Sequence, residues 1–251
     1  MKSLLLSLAA FTTAAFTAQA ADTGFKSIFN GKDLSGWEGL PQYWSVRDGA
    51  ITGQTKDDKL PANTFLVYKS SQPANFELRM KFKLTAENDK GQANSGVQYR
   101  SKVIDPATFV VGGYQADIDN GKYIGMLYEE RGRGILMQPG QKIRISPPKP
   151  AAPGGADAKK NKAKQKASVE TVATVTTAEQ LAAAYKMGEW SELRIVANGN
   201  HLQHYVNGKL TADVTDADPA AAAKSGVIAL QLHRGPPMTI QFKEVQLKTL
   251  P

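Results

Sequence analysis

The sequence predicts an all-β protein, a sandwich or barrel of short antiparallel strands. Phe76–Leu84 alternates without a break, with Phe76, Leu78, Met80, Phe82 and Leu84 on one face and Glu77, Arg79, Lys81 and Lys83 on the other. That period of two marks a strand buried on one side. Asn198-Gly199 and Asn207-Gly208 separate further β-prone runs, and Asn-Gly is a strong hairpin signal. Turn residues between short apolar runs recur along the whole chain, as in sandwiches and barrels.

Taken in order, the first segment belongs outside the fold. Lys2, the apolar run Leu4–Phe16 and Ala18-Gln19-Ala20 have the pattern of a secretory signal peptide over residues 1–20. Cleavage is expected near Ala20/Ala21, giving a periplasmic or secreted protein. A single domain is expected over 21–251, with no membrane span because no later apolar run is long enough. Strands are expected at Thr64–Lys69, Phe76–Leu84, Gly96–Ser101 and Gly113–Asp119. Further strands are expected at Leu193–Ala197, His201–Val206, Gly226–His233 and Thr239–Leu247. One helix is expected at Thr177–Lys186, with Thr176 and Glu179 spaced as a capping box and Gly188 beyond its end.

The net charge of +8 is unevenly placed. Ser146–Ser168 holds six lysines and one aspartate, and no aromatic residue lies between Ile145 and Tyr185. A disordered insertion rich in Lys, Pro and Ala is therefore expected at about 146–176. Without base-stacking aromatics beside the lysines, and with export expected, the charge does not point to nucleic acid. The chain has no cysteine and three histidines, which excludes disulfides, thiolate sites and a cysteine nucleophile.

Period-two phasing also sorts the polar residues. With Val97 and Tyr99 facing the core, Gln98 and Arg100 face away. With Tyr114, Ala116 and Ile118 inward, Gln115, Asp117 and Asp119 face away. With Ile228, Leu230 and Leu232 inward, Gln231 and His233 face away. Glu77/Arg79/Lys81/Lys83 reads as an ordinary solvated face, whereas amides, a carboxylate and a histidine on adjoining strands read as a polar groove. His204 is in phase with Leu202 and Val206 and is expected in the core, with His201 at the surface.

Several motifs carry a family resemblance. They are Gly24-Phe-Lys-Ser-Ile-Phe-Asn-Gly-Lys-Asp-Leu-Ser-Gly-Trp37, Trp44-Ser-Val-Arg-Asp-Gly-Ala-Ile-Thr-Gly53 and Asn94-Ser-Gly-Val-Gln-Tyr-Arg100. Tyr114-Gln-Ala-Asp-Ile-Asp-Asn120, Gly188-Glu-Trp-Ser-Glu-Leu-Arg-Ile195, Val206-Asn-Gly208 and Gly226-Val-Ile-Ala-Leu-Gln-Leu-His233 follow in order. Together, across about Phe25 to Leu250, the chain resembles the 3-keto-disaccharide hydrolase family, also called domain of unknown function 1080. It departs from the family pattern near Ala116, at Leu232-His233-Arg234-Gly235 and at Phe242-Lys243-Glu244-Val245.

The resemblance implies a concanavalin A-like jelly-roll sandwich of two antiparallel sheets. It also implies cleavage of glycosides oxidised at C3, through a lyase step with hydration of the 2-hydroxyglucal. A C3 ketone acidifies the C2 proton, so one base, an electrophile at the ketone oxygen and a proton donor suffice. The Glu-x-Asp-x-x-Glu strand of retaining glucanases is absent from the sequence.

His233 is the expected base. Asp117 is expected to orient the ketone, directly or by holding a divalent metal ion; no organic cofactor is expected. Gln98, Arg100, Gln115 and Gln231 are the expected sugar contacts, Tyr114 or Tyr123 the stacking residue, and Arg131 and Arg133 contacts from a rim loop. Asp119 also reads as a turn residue before Asn120-Gly121, and Trp37 and Trp44 as core. The other reading of the same groove is a non-catalytic, lectin-like carbohydrate-binding domain.

Overall fold

A computed structural model describes residues 24–56, 60–148 and 167–251. Strands in the first part of the chain are β1 (Lys26–Ser27), β2 (Trp37–Glu38), β3 (Trp44–Arg47), β4 (Ala50–Thr55), β5 (Thr64–Tyr68) and β6 (Phe76–Ala86). Then come β7 (Asn94–Asp105), β8 (Val110–Asp119), β9 (Leu127–Glu130), β10 (Gly134–Ile135), β11 (Gln141–Ser146) and β12 (Ser168–Thr174). The short helix α1 (Ala178–Ala184) precedes β13 (Ser191–Asn198), β14 (His201–Val206), β15 (Lys209–Asp216), β16 (Val227–Leu232) and β17 (Met238–Thr249).

The strands form two sheets, in the orders β12-β11-β15-β14-β13-β6-β17-β4-β3, with β1 added on β17, and β10-β9-β8-β7-β16-β5-β2. The expected two-layer jelly-roll sandwich is what the chain forms. Pairing is antiparallel throughout except for β11 beside β15, which run parallel. The inner faces meet as the alternation requires. Phe76, Leu78, Met80, Phe82 and Leu84 of β6 pack in one cluster with Val97, Tyr99, Tyr114, Ala116, Ile118, Ile228, Leu230 and Leu232 of the other sheet. Phe76 and Tyr99 meet edge to face with centroids 6.0 Å apart. Trp37 and Trp44 are buried as expected, and Trp37 Nε1 donates to Ile28 O at 2.7 Å.

The outer face of the smaller sheet is not simply solvated. The end of the β7–β8 hairpin bends over it, so that Val103, Phe109 and Val111 close a second small core with Phe65, Val67, Val227 and Ala229. Phe65 N donates to Phe109 O at 3.0 Å, and Thr64 Oγ1 to Thr108 O at 2.8 Å. The bend starts where the β7–β8 register shifts between Tyr99 and Lys102. Arg100 (φ 47°) and Gly113 (φ 141°) take left-handed conformations there. A Cβ at Gly113 would lie 2.8 Å from Ser101 Cα, so only glycine permits that approach.

Three sequence expectations change. Part of the 146–176 stretch is ordered: Ser146 ends β11, and Ser168–Thr174 pairs with it antiparallel as an exposed edge strand. The β-branched run Ser-Val-Glu-Thr-Val-Ala-Thr has strand propensity that the neighbouring lysines mask. Residues 149–166, like the expected signal peptide at 1–20, lie outside the described residues. The capping box sits one residue later than expected, on Thr177 and Gln180, because the Thr176 hydroxyl donates to Leu210 O at 2.7 Å. And β7, β8 and β17 are longer than their sequence patterns showed, since the hairpin bend hides the ends of β7 and β8.

Candidate functional site

Adjacent strands β16, β7, β8 and β9 carry polar side chains outward beside the hairpin flap. Gln98, Gln115, Asp117 and Gln231, all expected at the site, are brought together there and are fully buried or nearly so. Room for them comes from Gly96, where a Cβ would lie 2.5–2.6 Å from the Gln115 side chain. The Gln98 and Gln115 carboxamides are 2.8 Å apart, and that of Gln115 is 2.7 Å from Asp117 Oδ1. Gln231 continues the chain: its Oε1 is 3.5 Å from Gln115 Nε2, and its Nε2 donates to Glu130 Oε2 at 3.2 Å. Asn63 Nδ2 donates to the same Glu130 oxygen at 3.3 Å. Two carboxyl groups are thus joined by two carboxamides.

Both carboxyls are held above their ordinary range. Burial is the main cause at Asp117, whose pKa is pushed up to about 7; the nearby Asp119 and Glu130 charges add to it, while hydrogen bonds from Gln115 and Asn94 oppose it. Glu130 is raised by burial against the opposing effects of Asn63, Arg131 and Gln231.

His233 follows β16 and lines an adjoining cleft of about 290 Å³ with Asn94, Asp119 and Tyr123. Asn94 links the two parts, since its side chain also bonds Asp117. Burial lowers the His233 pKa below the usual histidine value, which favours the neutral, proton-accepting ring. Asp119 serves mainly as the expected turn residue, accepting from Gly121 N at 2.9 Å and Tyr123 N at 3.0 Å.

Other expected sugar contacts lie elsewhere. Tyr114 is inside the sandwich, its hydroxyl donating to Asp216 Oδ2 at 2.5 Å, so it offers no stacking face. Arg133 is bound to Asp216 (2.6 Å) and to Glu129, and braces the two sheets. Arg100 is buried at the bend and donates to the carbonyls of Ala74 (2.8 Å), Gly199 (2.6 Å) and Ala223 (3.1 Å). Its left-handed backbone breaks the alternation that assigned it to the groove. Arg131 is half exposed in a separate cleft beside Glu130, 3.9 Å from it. His204 is in the core as expected: Nδ1 donates to Gly125 O at 3.0 Å, which leaves Nε2 to accept from Tyr99 at 2.8 Å. His201 is on the surface beside Asp213.

Asn94 and Glu130 were not among the expected site residues. Asn94 is in phase with Gly96 and Gln98, so period-two reading extended by two residues finds it. Glu130 lies in a run that reads as a rim loop, and only the pairing of β8 with β9 places it.

The donor set around Asp117 does not fit the divalent metal ion expected there. Its carboxyl oxygens meet the side-chain amides of Gln115 and Asn94, and among the described residues no three His, Asp or Glu side chains converge to hold a metal.

The 3-keto-α-glucoside-1,2-lyase-like domain model matches residues 24–248, nearly the whole described chain, and the protein belongs to that family. Among solved structures, a Parabacteroides distasonis protein provisionally assigned as a glycosyl hydrolase is similar at 18% identity and a TM-score of 0.55. That match covers 91% of this chain and 94% of that one. The carbohydrate-binding module CBM66 from Bacillus subtilis is similar at 15% identity and a TM-score of 0.50, covering 85% of this chain and 96% of that one. A Bacillus subtilis protein of unknown function with a galectin-like fold gives 10% identity and a TM-score of 0.51, covering 86% and 90%. At these identities the likeness is one of fold. No curated protein matches the chain.

Proposed function

We propose that the protein is an exported enzyme that cleaves 3-keto glycosides by removing the C2 proton and eliminating the C1 substituent. Family membership supports the substrate class, and the signal-peptide pattern supports a periplasmic or secreted location. The observation that carries the mechanism is a neutral-leaning His233 in a cleft whose Asn94 also bonds the buried Asp117.

In this reading His233 accepts the C2 proton, and the C–H electron pair forms the enolate with the C3 oxygen, oriented by Asp117. The C3 carbonyl then re-forms as the C1–C2 double bond closes and the C1–O bond breaks. His233 returns its proton to the departing alkoxide, so protons and electrons balance without a co-reactant. Water adding across the 2-hydroxyglucal would complete hydrolysis. Tyr123 borders the cleft and is the stacking residue in this reading.

The test is alcohol release from a 3-keto glycoside, compared with the parent glycoside bearing a C3 hydroxyl. Release from the ketone alone supports elimination. Equal release from both overturns it, and saturable binding without turnover assigns the groove to a lectin-like module.

A further inference from the structure

The Gln98 carboxamide has two orientations with different consequences. In one, its nitrogen donates to Gln115 Oε1, and Gln115 Nε2 donates to Asp117. Gln98 Oε1 then faces the carbonyl oxygens of Gly113 and Tyr114, with the Ser101 hydroxyl as its donor. In the other, the Gln98 nitrogen donates to Ser101 Oγ (2.7 Å) and Tyr114 O (3.1 Å), with Gly113 O at 3.3 Å. Ser101 keeps a partner for its own proton in Tyr99 O at 2.9 Å. This second orientation satisfies both Gln98 N–H groups and removes two carbonyl–oxygen confrontations.

It also propagates. Gln98 Oε1 now faces Gln115, which must present its nitrogen there, and the Gln115 oxygen then lies 2.7 Å from Asp117 Oδ1. Two oxygens that close need a proton between them. The long 3.5 Å contact of Gln115 with Gln231 Oε1 ceases to be a hydrogen bond, and Gln231 keeps its bond to Glu130. We infer that Asp117 is a carboxylic acid in the resting protein, its proton held on the Gln115 oxygen by an orientation that Gln98 sets. When Asp117 loses that proton, the two amides turn together and Gln115 donates to the carboxylate. Both protonation states thus keep a hydrogen bond to Gln115, and only the neutral one satisfies Gln98 fully.

The surroundings agree. Asp119 from the same strand and Glu130 from β9 both disfavour the ionisation of Asp117, and the Tyr128 phenol of β9, also titratable, feels the charge of the same carboxyl. Asn94 from β7 and Gln231 from β16 contribute amides, and His233 lies in the adjoining cleft. In the elimination proposed above, a neutral Asp117 acts through Asn94, which bonds its carboxyl and lines the cleft, and so orients the C3 carbonyl without leaving a buried charge beside the enolate. That role rests on the proposed function, whereas the protonation state does not.

The experiment is infrared difference spectroscopy of the folded protein across a pH titration, without substrate. A protonated-carboxyl C=O band should be present at neutral pH, survive in Glu130→Gln and be lost in Asp117→Asn. Gln98→Met should move its midpoint down by about one pH unit or more, and Ser101→Ala in the same direction by less. No such band at neutral pH, or its loss on adding Mg²⁺ or Mn²⁺, overturns the inference. A midpoint unmoved in both Gln98→Met and Ser101→Ala would refute the part assigned to the amides. Since no sugar is involved, failure here is distinguishable from failure of the lyase reading.

Discussion

The Gln115 carboxamide lies 2.7 Å from the buried Asp117 Oδ1, with Gln231 linking it to a second carboxyl at Glu130, and burial of Asp117 in this chain gives stability a defined pH dependence. Burial raises the Asp117 pKa from 3.8 to about 7, so between those values the folded chain binds a proton that the unfolded chain releases. The Asp117 contribution is full below the unfolded value and is lost as pH rises through about 7, to an upper bound of about 4 kcal/mol. Asp117→Asn, which cannot ionise, should therefore gain in melting temperature relative to the parent as pH rises from 4 to 8. Parallel curves would show that the carboxyl is already ionised in the fold.

Most of this face is legible in the sequence, because a strand's period of two survives wherever pairing is regular. Gln98, Gln115, Asp117 and Gln231 were separable from Val97, Ala116 and Leu230 by phase alone. Phase fails at Arg100, where a left-handed residue and a register shift turn the strand. Tyr114 was assigned inward correctly by phase, and its expected role in sugar stacking conflicts with that assignment. Glu130 depends on which strand sits beside β8, a long-range fact that no local pattern encodes. Strand β12 was hidden because composition was averaged across a lysine-rich neighbour.

Gly113 should be among the least replaceable residues of the sheet. At φ 141° a side chain is strained, and its Cβ would overlap Ser101. Gly113→Ala should destabilise by at least about 1–3 kcal/mol. It should also loosen the flap over Phe65 and Val67, measurable as faster amide exchange at Phe65, whose N–H is bonded to Phe109 O. An unchanged exchange rate would show that the bend relaxes freely.

Arg133 should behave as a brace. Its guanidinium joins Asp216, which is almost fully buried, to Glu129 at the end of the smaller sheet. Removing it strands a buried carboxylate, an effect that typically costs about 3–5 kcal/mol. Arg133→Ala should lower the denaturation midpoint by a corresponding amount and leave KM unchanged under conditions where the variant stays folded. A raised KM with normal stability would restore it to the sugar site.

The lysine-rich connection should be replaceable. It joins β11, ending at Ser146, to β12, starting at Ser168, and these two strands form one edge of the larger sheet. Loop-closure entropy changes by only ~0.6 kcal/mol per doubling of length. Exchanging Pro147–Ala167 for a short Gly/Ser linker should keep the melting temperature within a few degrees in a thermal scan. A large drop would show that the segment packs on the sandwich.

His233 carries the sharpest activity prediction. Burial keeps its pKa below the ordinary histidine value, so the rate should rise with pH as the ring loses its proton, with the midpoint of that limb below about 6.5. Its ring borders the cleft and lies outside the packed core, so His233→Ala should fold normally by circular dichroism. It should lose about 10²–10⁴-fold in kcat/KM on a 3-keto glycoside, and the acidic limb of the pH profile should vanish with it. His204→Phe is the informative contrast, because His204 bonds Tyr99 and Gly125 inside the core and away from the cleft. That variant should lose stability first, and whatever fraction remains folded should keep the acidic limb. If His233→Ala retains both rate and limb, the base must be sought outside this cleft, beginning with Glu130, whose raised pKa and bonds to Gln231 and Asn63 place it at the end of the amide chain opposite Asp117.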